Sequence, residues 1–332
     1  MEALPITEAM TVEPVAHGGD LGAVRSRYPG APEPWVDLST GINPVPYPVA
    51  PVPVEVWSCL PTRQQEQALL EAAAARYGVR DLATIVAAPG TQALIQLLPR
   101  LVPRSRVAIV GPTYEEHEAC WTRQGHEVSL VTSLDRAAGA DVVIVVNPNN
   151  PTGLLLPPAT LRRTDGLLIV DEAFVDLLPP DASLAPDLPD NTIVLRSFGK
   201  VYGLAGVRLG FAIAERRIAG RIRDELGPWA VSGPALEIGR RALGDSAWLQ
   251  AAAARLAADR QRLDELLIPA GCEILGGTPL FSLARHPDAA GVADRLGRHG
   301  IHVRRFAHAP QWLRFGLPGD ATAFSRMAAA LA

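Results

Sequence analysis

The sequence predicts an α/β fold: a mostly parallel β-sheet flanked by helices in a large domain, followed by a smaller α+β domain. Two observations support this prediction. From about residue 84 to residue 214, short apolar runs alternate with helical segments, which is the pattern of a parallel sheet buried on both faces. The length of 332 residues also exceeds the usual size of a single hydrophobic core, so a second domain is expected.

The elements of the large domain follow in chain order. Residues 11–56 are rich in proline and glycine and show few signs of a long regular element. A helix is predicted from Arg63 to Tyr77, because Gly78 is a typical C-terminal stop. A second helix is predicted at 114–123. The predicted buried strands are the apolar runs at 84–88, 106–110, 127–131, 141–146, 167–170, 192–196 and 210–214.

The pattern changes after about residue 233, where long helices precede a group of short strands. Helices are predicted at 247–267, 289–299 and 320–331, and strands at 272–275, 280–284, 301–305 and 312–316. We therefore divide the chain into an N-terminal arm that also contributes to the small domain (1–55), a large domain (56–232) and a small C-terminal domain (233–332).

Composition and charge argue against several classes of protein. Hydrophobic residues make up 48% of the chain and charged residues 20%, and the net charge is −4 without a run of lysine or arginine. Nucleic acid and membrane surfaces are therefore not expected as partners. No apolar stretch approaches the roughly 18 residues of a membrane span. We expect a cytoplasmic protein, because the N-terminal residues lack the features of a signal peptide and the three cysteines are odd in number and widely spaced. We expect no metal, because the cysteines do not have the spacing of a zinc site.

The strongest candidate for chemistry is the segment SFGKVYGLAGVRLG, which runs from Ser197 to Gly210 after a predicted strand. Its four glycines predict tight turns close to another group. Lys200 lies between a hydroxyl group and Arg208, which suits an aldehyde cofactor with a phosphate tail, because desolvation beside a cation lowers the pKa of the amine that forms a Schiff base. Ser197 and Arg208 can both bind phosphate oxygens. Taken alone, the segment could also be a glycine-rich surface turn.

Asp171 follows the apolar strand at 167–170 and begins the sequence Asp-Glu-Ala-Phe. A carboxylate at the carboxyl end of a parallel strand points into the crevice where ligands bind. There it can keep a pyridine nitrogen protonated, and a pyridinium withdraws electrons from a substrate carbanion. The alternative is an aspartate that caps a following helix.

Two loops complete the candidate cofactor site. Asn150 lies in the sequence NPNNPTG, whose prolines hold the turn so that asparagine side chains project in defined directions, and it could donate to a phenolic oxygen. Gly90 and Thr91 lie between a strand and a helix, where backbone N–H groups make an anion site without a charged residue. Alone, each loop could be an ordinary turn or helix start.

Along the chain, the Gly90-Thr91 loop is followed by the Asn150 turn, then by Asp171, and then by the segment with Lys200 and Arg208. In that order the four segments resemble the fold-type I, class I/II aminotransferase superfamily of pyridoxal-phosphate-dependent enzymes, and the resemblance covers nearly the whole chain. It implies that Lys200 holds pyridoxal 5'-phosphate as a Schiff base, that Asp171 pairs with the ring nitrogen and that Asn150 contacts the phenolic oxygen. It also places Tyr114 on the pyridine face and Arg314 on a substrate carboxylate. The implied phosphate ligands are Gly90, Thr91, Ser197 and Arg208.

Two positions depart from the pattern of this superfamily. Phe174 stands where many members have a tyrosine that hydrogen-bonds the phenolic oxygen, so Asn150 is expected to act alone there and the Schiff-base pKa to rise. Leu60 stands where relatives often have a tyrosine that reaches the cofactor phosphate of the partner subunit, which leaves open whether that contact is made.

The N-terminal arm narrows the reaction. His17-Gly-Gly-Asp and the sequence WVDLSTGINP from Trp35, together with Asp171-Glu-Ala-Phe and Pro228-Trp-Ala-Val-Ser, resemble the threonine-phosphate decarboxylase family of cobalamin biosynthesis. This resemblance implies a homodimeric lyase that converts L-threonine O-3-phosphate, a small phosphorylated amino acid, into (R)-1-amino-2-propanol O-2-phosphate. The implied substrate site comprises His17, Gly18, Gly41, Asn150, Arg304 and Arg314.

Other reactions remain open at the level of the sequence. A histidinol-phosphate-type aminotransferase would use the same cofactor site, with Lys200 removing a proton from the substrate instead of delivering one after loss of carbon dioxide. A catalytically silent member of the fold is the non-enzymatic alternative. The sequence also leaves open which arginine binds carboxylate and which binds phosphate.

Overall fold

The computed structural model describes residues 17–332, so the first 16 residues of the N-terminal arm lie outside the described part of the chain. Its strands are β1 (Val36–Leu38), β2 (Ile85–Ala88), β3 (Arg106–Val110), β4 (Glu127–Val131), β5 (Val142–Val146), β6 (Leu167–Asp171), β7 (Thr192–Ser197), β8 (Gly210–Ala214), β9 (Glu273–Thr278), β10 (Phe281–Arg285), β11 (Ile301–Arg305) and β12 (Trp312–Gly316).

The α-helices connect and cover these strands. They are α1 (Leu21–Arg27), α2 (Val54–Ser58), α3 (Arg63–Tyr77), α4 (Thr91–Leu101), α5 (Glu116–Arg123), α6 (Pro158–Leu161), α7 (Phe198–Val201), α8 (Arg216–Leu226), α9 (Gly233–Gly244), α10 (Ser246–Leu267), α11 (Ala289–Arg298) and α12 (Ala321–Leu331). Within residues 17–332, none of the helices is long and apolar enough to cross a membrane.

A seven-stranded sheet, in the order β2-β8-β7-β6-β5-β3-β4, forms the centre of the large domain. Strands β7, β6, β5, β3 and β4 pair in parallel, and β8 runs antiparallel to both of its neighbours. Every residue of β5 is buried: Val143 and Val145 join the core on the side of α3 and α9, whereas Val142 and Ile144 join the core on the side of α4, α5 and α8. The sheet is therefore covered by helices on both faces, which confirms the predicted fold class.

The second sheet has five strands in the order β1-β11-β12-β10-β9 and shares a hydrophobic core with α10, α11 and α12. Strand β1 pairs in parallel with β11, so a three-residue segment near the N-terminus completes a sheet that is otherwise built from the last quarter of the chain. Phe174, from the loop after β6, packs into the same core. This packing joins the small sheet to the edge of the large sheet where the parallel strands end.

The predicted strands and helices agree with the structure to within a few residues. Helix α3 has the predicted bounds, because Thr62 and Gln65 form a reciprocal capping box at its start and Gly78 adopts a left-handed conformation at its end. The prediction missed β1 and the helices α1, α2, α6, α7 and α8. Strand β1 is only three residues long, and its pairing with a segment more than 260 residues away leaves little local signal.

Candidate active site

A pocket of about 320 Å³ opens at the carboxyl ends of β5, β6 and β7, the usual position of a ligand site in a parallel α/β sheet. Its volume lies near the lower end of the range of about 300–1,000 Å³ found for small-molecule sites. The pocket is lined by every residue that the sequence analysis assigned to a cofactor or substrate site, namely His17, Gly18, Gly41, Gly90, Thr91, Tyr114, Asn150, Asp171, Ser197, Lys200, Arg208, Arg304 and Arg314.

Lys200 lies in the short helix α7, immediately after β7. Burial lowers the pKa of Lys200 to about 8, and the positive charges of Arg314 and Arg208 act in the same direction, whereas the carboxylate of Asp171 opposes them. The amine nitrogen lies 5.6 Å from the centre of the Phe174 ring. A substantial fraction of the amine is therefore neutral near pH 8, as a nucleophile that attacks a carbonyl carbon requires.

Asp171 ends β6 and is 3% exposed. One carboxylate oxygen, Oδ1, accepts a hydrogen bond from the backbone N–H of Ala173 at 3.1 Å. The other, Oδ2, lies 3.1 Å from Nε2 of the buried His117 in α5. Because an ionised carboxylate only accepts hydrogen bonds, His117 donates from Nε2 and holds the carboxylate in place. His117 lies three residues after Tyr114, but nothing in the local sequence marked it as a partner of Asp171.

The three asparagines of the loop after β5 have separate functions. The side chain of Asn147 forms hydrogen bonds with the backbone N–H and C=O of Leu156 and closes the loop. Asn149 accepts a hydrogen bond from the hydroxyl of Thr113 and donates one to the backbone carbonyl of Pro112. Asn150 lines the pocket, where its side-chain oxygen accepts a hydrogen bond from Nη1 of Arg314. The amide NH₂ of Asn150 therefore remains as the group that can donate to a ligand.

An anion cradle lies at the N-terminus of α4, where Gly90 is the N-cap with a φ of +85°. A Cβ atom on Gly90 would lie 2.9 Å from Nη2 of Arg208, and a Cβ on Gly210 would lie 2.6 Å from the backbone nitrogen of Thr91. Glycine at these two positions allows the close approach that brings the start of α4 beside the Arg208 guanidinium, and Ser197 lines the same pocket. Helix N-terminal N–H groups and an arginine together suit a phosphate.

Arg304 and Arg314 enter the pocket from the small sheet. Arg314 is 8% exposed, and its Nη2 donates to the backbone oxygen of Ser39 at 2.7 Å. Burial, followed by the charge of Arg304, lowers the pKa of Arg314 to about 10. Burial also lowers the pKa of Arg304. Within residues 17–332, Nε of Arg314 is buried without a hydrogen-bond partner. A buried donor of this kind is suited to an anionic ligand.

The N-terminal arm passes over the rim of the pocket at residues 17–19. The backbone N–H of Gly19 donates to Oγ of Ser39 at 2.8 Å. A Cβ atom on Gly18 would lie 2.5 Å from the backbone oxygen of Ser39, so only glycine allows the arm to lie this close. Nε2 of His17 lies 2.9 Å from Oε1 of Glu116 at the start of α5. The arm is therefore held against both sheets beside the pocket.

Gly41 and Phe174 are sterically coupled. A Cβ atom on Gly41 would lie 2.9 Å from ring atoms of both Phe174 and Phe281, whose rings form an edge-to-face pair with centroids 5.2 Å apart. The rings of Phe174 and Phe281 together thus leave room only for glycine at position 41. Leu60 is 65% exposed and does not line the pocket.

The pocket also contains polar residues that the sequence analysis did not assign to the site. They are Ser39, Thr40, Gln92, Thr113 and Glu115. Gln92 directly follows the Gly90-Thr91 pair at the start of a helix, a position that could have indicated it. The others lie in loops whose contact with the pocket depends on tertiary packing.

Comparison with known proteins gives a consistent set of relatives. The model of the family described as aminotransferase class I and II matches residues 57–331. Threonine-phosphate decarboxylase from Sinorhizobium sp. is 46% identical over 331 residues, covering 96% of this chain and 98% of that protein. Threonine-phosphate decarboxylase from Pseudomonas aeruginosa is 40% identical over 328 residues, covering 95% and 96%. The structure of histidinol-phosphate aminotransferase from Sinorhizobium meliloti in complex with pyridoxal-5'-phosphate matches with a TM-score of 0.79 at 22% identity and covers 98% and 96% of the two chains.

Proposed function

The chain belongs to the class I and II aminotransferase family, and we propose that it is a pyridoxal-phosphate-dependent decarboxylase that converts L-threonine O-3-phosphate into (R)-1-amino-2-propanol O-2-phosphate. The observation that carries this proposal is that three side chains able to bind anions, Arg304, Arg314 and His17, line one pocket, which suits a substrate with two anionic groups. The decarboxylase relatives share far more of the sequence than the aminotransferase structure, whose 22% identity shows the fold alone. The alternative of a histidinol-phosphate aminotransferase is therefore not favoured.

The residues present fit pyridoxal phosphate as the cofactor. Lys200 has the lowered pKa that attack on an aldehyde requires. The cradle is formed by Gly90, whose φ of +85° disfavours other residues, by Gly210, whose Cβ would lie 2.6 Å from the backbone nitrogen of Thr91, and by Arg208, and it fits a phosphate. Asp171 would hold the pyridine nitrogen in its protonated form, and the free amide NH₂ of Asn150 would donate to the phenolic oxygen. When bound, the cofactor supplies an acceptor for the electron pair that remains at the α-carbon after a bond to it breaks.

We assign the substrate carboxylate to Arg314 and the phosphate to His17 and Arg304. Arg314 is the buried member of this set, and its charge lowers the pKa of Lys200, so an anion bound to Arg314 lies next to the reacting amine. His17 lies at the rim, with 49% of its side chain exposed. A phosphorylated side chain that extends away from the α-carbon would reach this rim. The roles of Gly18 and Gly41 would be confined to their backbone groups, because neither position has space for a side chain.

In this arrangement the protein determines which bond to the α-carbon breaks. Arg314 and Asn150, which are joined by a hydrogen bond, would hold the carboxylate in one orientation. His17 and Arg304 would hold the phosphate at the other end of the substrate. With the cofactor bound, the carboxylate of Asp171 would stabilise a positive charge on the pyridine nitrogen. Lys200 would then deliver the proton that takes the position of the departed carbon dioxide.

The test of this function is incubation of the purified holoenzyme with L-threonine O-3-phosphate in the absence of any keto acid. We expect release of carbon dioxide and formation of the phosphorylated amino alcohol, and loss of both in Lys200→Ala. The decarboxylase assignment would be wrong if the enzyme released no carbon dioxide but turned over histidinol phosphate in the presence of 2-oxoglutarate. A catalytically silent protein would fail both assays, and borohydride reduction followed by peptide mapping would leave Lys200 unlabelled.

We further propose that the protein acts as a homodimer with a role in cobalamin biosynthesis. Exposed apolar side chains support the dimer: Val54 and Trp57 of α2 are 73% and 67% exposed, and Leu60 and Trp229 are 65% and 59% exposed. Exposed apolar groups of this size are typical of association surfaces. Sedimentation of wild-type protein and of Trp57→Glu would test this, since the substitution should produce monomers.

We also propose a cytoplasmic location and the division into an arm (1–55), a large domain (56–232) and a small domain (233–332). The cysteines are free: Cys59 is exposed, and Cys120 and Cys272 are buried. Free thiols are compatible with a reducing compartment. Fractionation of cells that express the protein would test the location, and limited proteolysis near residues 55 and 232 would test the boundaries.

A further inference from the structure

Glu116, the first residue of α5, connects two side chains of the pocket without lining the pocket itself. Its Oε1 atom lies 2.9 Å from Nε2 of His17, and its Oε2 atom accepts a hydrogen bond from Nε2 of Gln92 at 2.7 Å. The side chain of Glu116 is 12% exposed. His17 and Gln92 both line the pocket, so Glu116 contacts the pocket wall from outside the pocket.

Gln92 holds the second oxygen of the Glu116 carboxylate, whereas His17 contacts the first. The hydroxyl of Tyr114 lies 3.2 Å from the side-chain oxygen of Gln92 and donates to it. This contact leaves the NH₂ of Gln92 to face Glu116, so a chain of hydrogen bonds runs from Tyr114 through Gln92 and Glu116 to His17. The carboxylate is therefore held by a rigid element of the large domain, whereas His17 belongs to the N-terminal arm.

The contact with Glu116 determines which ring nitrogen of His17 can meet a ligand. A carboxylate only accepts hydrogen bonds, so Nε2 of His17 carries a hydrogen and donates it to Glu116. Nδ1 is then the nitrogen available for a substrate. The ring of Tyr114 also lies near His17, with ring centroids 6.2 Å apart.

We propose that Glu116 is a positioning residue for phosphate recognition: it holds Nε2 of His17 so that Nδ1 of the ring faces the phosphate of the substrate. The proposal rests on the assignment of His17 to the substrate phosphate. Glu116 acts through His17 and touches neither substrate nor cofactor. Its loss should therefore weaken the binding of phosphorylated substrates without changing the chemistry at the α-carbon.

The test is a double-mutant cycle on the holoenzyme with the variants Glu116→Gln, His17→Ala and the pair. We expect Glu116→Gln to raise KM and the calorimetric Kd for L-threonine O-3-phosphate by about tenfold, the effect of one charge-assisted hydrogen bond. The kcat value should change by less than about twofold. The double variant should bind no more weakly than His17→Ala, because the two residues act as one unit. L-Threonine, which lacks the phosphate, should bind equally to wild type and Glu116→Gln.

Glu118→Gln is the matched control, since it removes the same charge from an exposed position of the same helix, and it should leave KM unchanged. Glu116→Asp keeps the charge and should recover part of the affinity; it replaces Glu116→Gln in the cycle if that variant does not fold. Additive effects of the two substitutions, or an equal loss of L-threonine binding, would overturn the proposal and show that Glu116 only supports the local fold.

The proposed decarboxylation and the role of Glu116 can fail separately. If wild-type enzyme releases no carbon dioxide from L-threonine O-3-phosphate, the proposed function is wrong. The cycle is then run with inorganic phosphate and the calorimetric Kd as the readout. Non-additive losses of phosphate affinity would still support the role of Glu116 in phosphate binding, and additive or absent losses would overturn it.

Discussion

Arg304 and Arg314 are direct cross-strand partners in the antiparallel pair of β11 and β12. Directly opposite residues of such a pair place their side chains on the same face of the sheet, where like charges repel each other. This repulsion contributes to the lowered pKa of Arg314, after the larger effect of burial. In the proposed function, an anionic substrate bound between the two arginines would offset this repulsion, so the pairing would favour binding.

We expect Arg314→Met to lower kcat/KM for L-threonine O-3-phosphate by about 100-fold or more, because a buried charge-assisted contact to the carboxylate is lost. Steady-state measurement of carbon dioxide release gives this value. Arg285→Met, on the neighbouring strand β10, is the control: Arg285 is exposed and pairs with Glu273 away from the pocket. Retention of wild-type kcat/KM in Arg314→Met would show that the carboxylate binds elsewhere.

The rate at which the apoenzyme captures pyridoxal phosphate should rise with pH through about 8 and then level off. The pKa of Lys200 is lowered from 10.5 to about 8, so the neutral, nucleophilic amine becomes the major form above that pH. Stopped-flow absorbance of the cofactor measures the rate. In Arg314→Met the midpoint should move upward, since a nearby positive charge that lowers the Lys200 pKa has been removed. A midpoint near 10.5 in wild type would contradict the environment described for Lys200.

Gly41→Ala should destabilise the protein by about 1–3 kcal/mol, the usual cost of inserting a methyl group into a packed site. The added Cβ would meet the rings of Phe174 and Phe281 at 2.9 Å. Urea unfolding at equilibrium measures the loss. The double variant Gly41→Ala/Phe174→Leu should regain part of it, because the smaller side chain leaves space for the methyl group. Equal destabilisation in the single and double variants would show that the backbone at position 41, and not the ring of Phe174, sets the requirement for glycine.

Asp171→Asn should lower kcat by about 100-fold or more while the holoenzyme still forms, because an amide does not hold the pyridine nitrogen in its charged form. His117→Asn should have a smaller effect of the same kind, since His117 holds the Asp171 carboxylate at 3.1 Å and does not carry its charge. Single-turnover kinetics on the reconstituted holoenzymes separates this effect from cofactor loss. Asp181→Asn, at an exposed site, should behave as wild type. A larger loss in His117→Asn than in Asp171→Asn would reverse the two roles.

Much of the large domain and its chemistry could be predicted from the sequence. The alternation of apolar runs reports the burial of each strand, which is a local property, and it indicated the sheet that the structure contains. The residues around Lys200, Asp171, Asn150 and Gly90 carry their chemistry in short segments at strand ends. The topology of a parallel sheet brings such segments to one edge, so their meeting in one pocket could also be expected.

The tertiary structure alone decided the contacts that join distant segments. The register of β11 and β12 sets Arg304 opposite Arg314, and no local periodicity specifies that register. His17 meets Glu116 across 99 residues, and His117 meets Asp171 across 54. The requirement for glycine at position 41 depends on two rings from two other segments. These relationships arise from packing between elements, whereas sequence patterns report mainly the burial and conformation of each element by itself.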